Sequence, residues 1–60
     1  MIEYKYHLSQ KVIFRKGNIY ISGKIINYLY NDKEGNLYVV KTFKNERYEI
    51  DNDSVVNSFE

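Results

Sequence analysis

The sequence predicts an all-β fold: a small barrel of five or six short antiparallel strands with one helical turn before the last strand. Three observations predict it. Short apolar stretches alternate with polar residues at the period of a half-buried strand. Turn-forming clusters separate them at Gly17-Asn18, Asn31-Asp32-Lys33-Glu34-Gly35-Asn36 and Lys44-Asn45-Glu46. No window holds apolar residues at helical spacing without fitting a strand better. At 60 residues the chain fits one domain, 1–60, and a domain of this size buries roughly 60% of the surface its unfolded chain exposes.

Each element follows from its local pattern. Ile2, Tyr4, Tyr6 and Leu8 alternate with Glu3, Lys5 and His7, so a first strand is expected close to the start. Val12 and Phe14 continue the alternation as a second strand ending near Lys16, where Gly17-Asn18 tolerates the positive φ of a tight reversal. The longest stretch, Ile19 to Tyr30, places Ile19, Ile21, Gly23, Ile25 and Leu29 on one side. Tyr20, Ser22, Lys24, Ile26, Tyr28 and Tyr30 fall on the other. Gly23 in the middle of a strand predicts a bulge, a sharp bend or a close backbone approach. Leu37 to Phe43 and Arg47 to Ile50 form a hairpin with Tyr48 and Ile50 inward. Asp51-Asn52-Asp53-Ser54 supplies side chains that cap a helical turn, after which Val55-Val56 leads a last strand to Phe59.

Composition excludes several function classes. The chain has no cysteine and one histidine, so it has neither a disulfide framework nor the ligands of a thiolate zinc site. No apolar run is long enough to span a bilayer or to form a signal-peptide core, which leads to the expectation of a soluble, cytoplasmic protein without a membrane partner. Nine basic residues against eight acidic give a formal charge of +1, which rules out a chain-wide basic stripe and leaves only a local patch for phosphates. Abundant Asn, Lys, Ile and Tyr with no Ala or Pro fit an AT-rich coding sequence, of the kind found in low-GC bacteria and their phages or plasmids.

The order of Ser22-Gly23-Lys24-Ile25, Tyr38-Val39-Val40, Asn45-Glu46-Arg47-Tyr48-Glu49 and Asp53-Ser54-Val55 resembles the Tudor-like members of the SH3-like barrels. Val12 to Gly17 followed by Gly23-Lys24-Ile25 is similar to the opening of KOW-like modules. The resemblance covers roughly residues 11 to 56 and implies a barrel used for binding. Tudor domains that read methylated side chains build an aromatic cage, and the cage positions fall here on or beside Lys41 and Lys44. Phe43 is the candidate for a displaced cage wall, but a cage with lysines in it repels a cation, so a methyl-lysine or methyl-arginine reader is not expected. The ribosomal and transcription-factor association that the KOW-like resemblance implies is weakened by the missing basic excess.

Tyrosine is the outlier residue, with seven in the chain. Tyr20, Tyr28 and Tyr30 share a side of one predicted strand and Tyr38 lies on its neighbour. Together they are expected to form an exposed strip that anchors a partner, since tyrosine offers large contact area with few rotors. The leading expectation is therefore a non-enzymatic module that binds a protein partner, an accessory or inhibitor protein of a phage or mobile element. A homo-oligomer is compatible with the same surface. The alternative is a barrel binding single-stranded DNA or RNA, with Lys11, Arg15, Lys16 and Lys24 flanking one turn to meet phosphates and the tyrosines stacking bases.

No cofactor is expected. His7 stands alone among strand residues, without a partnered nucleophile or acid. The serines lack an activating histidine and acid. Asp51 and Asp53 lack the glycine and closing glutamate of a calcium loop.

Overall fold

The computed structural model describes residues 4–59. The alternating stretches become β1 (Lys11–Lys16), β2 (Ile19–Asn31), β3 (Gly35–Lys41), β4 (Arg47–Ile50) and β5 (Val55–Phe59), with a 3-10 turn (Asn52–Ser54) before the last strand. All pairings are antiparallel, in one sheet of order β4-β3-β2-β1-β5. The all-β fold with a helical turn before the last strand is thus as the sequence predicts.

Strand β2 bridges the two halves of the sheet. Its first half pairs with β1 and its second with β3, and Lys24 belongs to both ladders, facing Lys11 on one side and Lys41 on the other. Such a strand has to bend at the crossing, and Gly23 stands there. A Cβ on Gly23 would lie 2.6 Å from Val40 Cγ1 and 2.7 Å from the Lys41 carbonyl oxygen, so only glycine lets β2 approach β3 this closely. The β1–β2 reversal uses Gly17 at φ +62 as the first central residue of a two-residue loop.

The inner faces bury Val12, Phe14, Ile25, Tyr38, Val40 and Ile50, with Ile21, Tyr48 and Val55 packed partly against them. The Asp51 carboxylate caps the 3-10 turn, accepting from the Ser54 N–H at 3.0 Å and the Ser54 hydroxyl at 2.9 Å.

Two sequence expectations are corrected. Ile2, where the first predicted strand begins, lies outside the described residues, and 4–10 forms bends and a turn instead of a strand. The ladder positions beside β1 are already filled by β2 and β5, and Ser9 has φ 69, which no strand accommodates. The alternation of Tyr4 and Tyr6 reflects docking onto Tyr38, with ring centroids 5.5 and 5.6 Å away.

The second correction concerns β2. Its register shifts between Ile25 and Asn27, leaving Ile26 as an extra residue. A one-residue bulge exchanges the two faces beyond it. Tyr28 therefore turns inward, stacked on Tyr4 at 4.1 Å, and Leu29 turns outward.

Candidate interaction groove

The 42–46 turn creates the most exposed aromatic in the protein. Thr42 is buried, and its hydroxyl oxygen accepts from the N–H groups of Lys44 and Glu46, both at 3.3 Å. The Thr42 N–H donates to the Glu46 carbonyl at 2.9 Å, and Asn45, at φ 65, donates to the Thr42 carbonyl at 3.0 Å. With Thr42 anchored inward and the turn closed over it, Phe43 projects out and is 86% exposed.

Two adjoining grooves of about 420 and 320 Å³ meet at Ser22, Thr42 and Phe43. The larger is lined by Lys11, Lys24, Lys41 and Ile26. The smaller lies between β2, through Ile19 to Ser22, and the turn that carries Lys44 and Glu46, with Tyr48 also in its wall. Four consecutive β2 residues line this second groove, so it faces the edge of the strand rather than one of its sides.

Charge is unevenly placed around it. Lys11, Lys24, Lys41 and Arg47 are directly opposite one another across four strands. Paired antiparallel residues share a face, so these four cations form one row, and like charges so placed destabilise a sheet. Lys44 adds a fifth cation near the groove, its ammonium 5.9 Å from the Phe43 ring. Glu46 is the one acid in the walls. The carboxylates of Asp32 and Glu34 sit on the β2–β3 loop, and those of Asp51 and Asp53 beside the 3-10 turn.

The structure divides the sequence-predicted sites. Of the tyrosine strip, Tyr38 is fully buried and belongs to the core, because its strand position faces inward opposite Ile50. Tyr28 is half-buried by the bulge, its hydroxyl donating to the Tyr6 carbonyl at 3.1 Å. Only Tyr20 and Tyr30 are well exposed, at 66% and 54%, and of these Tyr20 alone lines a groove. No single strip unites the four.

The basic set divides as well. Arg15 and Lys16 flank the Gly17-Asn18 turn, and the Arg15 Nε donates to the Gly17 carbonyl at 2.9 Å. Lys16 is turned to the other side, its ammonium 5.4 Å from the Tyr48 ring. Lys11 and Lys24 are at the far end of the hairpin, since the five-residue separation from Lys16 to Lys11 carries them away from the turn. Their neighbour is Lys41, a residue that the sequence places on or beside a cage position.

Sequence reasoning offers Phe43 only as a displaced cage wall and not as a freely exposed anchor, because it reads as the end of a β-rich stretch. The Thr42 to Glu46 hydrogen-bonded turn was the missing signal. His7 is exposed on a bend, its N–H donating to the Gln10 side chain at 2.8 Å. No group of three His, Cys, Asp or Glu side chains among the described residues is placed to hold a metal ion. No helix among them is long and apolar enough to cross a membrane. No family model, curated protein or solved structure matches the chain.

Proposed function

We propose that the chain is a non-enzymatic SH3-like module that binds a protein partner in the groove between β2 and the 42–46 turn. One observation carries this reading: Phe43, 86% exposed, stands on a hydrogen-bonded turn above a groove that also contains Tyr20 and Tyr48. A large aromatic held in water by a closed turn forgoes burial worth about 1.5–3 kcal/mol, a loss that a partner's surface recovers. The strand order and the 3-10 turn before β5 support the SH3-like assignment. The cysteine-free, Asn- and Lys-rich composition supports a cytoplasmic accessory protein of a phage or mobile element.

A photoreactive phenylalanine analogue at position 43 tests this reading in a nuclease-treated lysate. The expected product is one defined protein adduct, lost on Tyr20→Ala while the fold is retained. Adducts that vanish with nuclease refute it.

The row Lys11, Lys24, Lys41 and Arg47 favours a second reading, single-stranded nucleic acid with bases stacked on Phe43. Binding would then weaken with salt at a log–log slope of about −0.7 for each phosphate contacted.

A further inference from the structure

The backbone of β2 determines what kind of segment the groove accepts. The β1–β2 loop has two residues, so Lys16 and Ile19 close it as a hydrogen-bonded pair, and the antiparallel alternation makes Phe14 with Ile21 and Val12 with Gly23 bonded pairs too. Ile25 extends the series, donating to the Gln10 carbonyl at 3.0 Å and accepting from the Ser9 N–H at 2.7 Å. The odd-numbered residues thus point their N–H and C=O groups toward β1.

The intervening residues point theirs the other way. Lys24 meets Lys41 on β3. Tyr20 and Ser22 come just before this pairing begins, where β3 has already turned away at Thr42, and no backbone group among the described residues bonds to that side of them. Their N–H and C=O groups, spaced by about 6.8 Å, open into the groove.

We infer that an extended, acidic segment of a protein partner adds to this edge as a strand, bonding to Tyr20 and Ser22 and placing carboxylates against Lys24, Lys41 and Lys44. The inference rests on the protein-binding reading above and specifies the partner's conformation and charge. A line of alternating donors and acceptors at two-residue spacing is matched by another extended polypeptide and by no phosphate backbone. The charge follows from four lysines, Lys11, Lys24, Lys41 and Lys44, against Glu46 in the walls. A second copy of this chain is a weaker occupant, since of its two edge strands β5 carries no charge in Val55–Phe59 and β4 offers Glu49 only with Arg47 two residues away.

The test is a titration of the isotopically labelled protein, followed by amide NMR shifts, with a capped peptide of alternating glutamate and threonine. Controls are the same peptide N-methylated at alternate residues, its lysine-for-glutamate counterpart, and oligothymidylate. The expected result is shifts centred on Tyr20 and Ser22, affinity weakened about tenfold or more by N-methylation on the side that pairs, and no binding of the lysine peptide. Ser22→Pro should abolish the shifts, and the N-methylated peptide reports independently if that variant fails to fold.

Equal binding of the N-methylated peptide overturns strand addition while leaving the protein-binding reading standing. Binding of oligothymidylate with no response to either peptide overturns both. Concentration-dependent shifts at Tyr20 and Ser22 without any peptide assign the edge to a second copy and overturn the acidic-partner inference. No shift at either residue at millimolar acidic peptide overturns it as well.

Discussion

The Tyr38 hydroxyl donates a 2.6 Å hydrogen bond to the Asn52 side-chain oxygen, and this bond completes the capacity of that hydroxyl. Its two acceptor positions are taken by the N–H groups of Lys5 at 2.7 Å and Tyr6 at 3.1 Å. One buried atom therefore joins β3, the 3-10 turn and the 4–10 segment.

Replacing Tyr38 with phenylalanine keeps the ring and removes all three bonds. The expected loss is about 1–3 kcal/mol in urea denaturation, since the partners lose a bond at a part-buried site. Hydrogen exchange at the Lys5 and Tyr6 amides should accelerate more than exchange in β1. An unchanged exchange rate there would show that the tyrosine ring, not its hydroxyl, holds the segment.

Gly23→Ala should destabilise the fold by about 1–3 kcal/mol, because the new methyl meets the Lys41 carbonyl, which is backbone and cannot swing aside. Gly17→Ala is the contrasting case. Nothing lies within 4 Å of its Cβ position, so its cost of about 1–2 kcal/mol arises from the positive φ alone. A Gly17→Asn variant, whose side chain tolerates that region, should recover part of the loss, whereas Gly23→Asn should not.

Lys24→Gln should stabilise the protein at low salt by about 0.2–1 kcal/mol, since Lys24 is opposite a lysine on both sides. Thermal melting across a salt series checks this, and the advantage should shrink as salt rises. The same variant should weaken an acidic partner. A stability gain with a binding loss is what separates a row kept for function from one that is merely tolerated.

Amide exchange in the first half of β2 should alternate, with Ile21 and Gly23 protected by β1 and Tyr20 and Ser22 exchanging freely. Uniform protection from 19 to 23 in the isolated protein would mean that the groove edge is already satisfied, and it would remove the basis for strand addition.

Much of the fold was legible because its signals are local. Gly17, the Asp51 cap and the alternation in β1 each depend on neighbours within a few residues, and all three appear where the sequence places them. The interaction site was less legible. Tyr28 and Tyr38 share a sequence pattern with Tyr20, yet the bulge at Ile26 and the inward register of β3 bury the first two in part or whole. A bulge changes every later face assignment in a strand, and Gly23, three residues earlier, signals an irregularity without specifying its kind or its position.

By itself, then, the sequence determined the alternation of β1, the Gly17 reversal and the Asp51 cap, since sterics and hydrogen bonding within short spans decide these, whereas the need for glycine at position 23 comes from Val40 and Lys41 on β3. Only the tertiary structure decided which strands become neighbours. That pairing places Lys41 beside Lys24, lifts Phe43 out on a closed turn, and leaves Tyr20 and Ser22 with an open edge. Each of these depends on contacts between segments far apart in the chain, where register and bend, not residue type, determine what faces the groove.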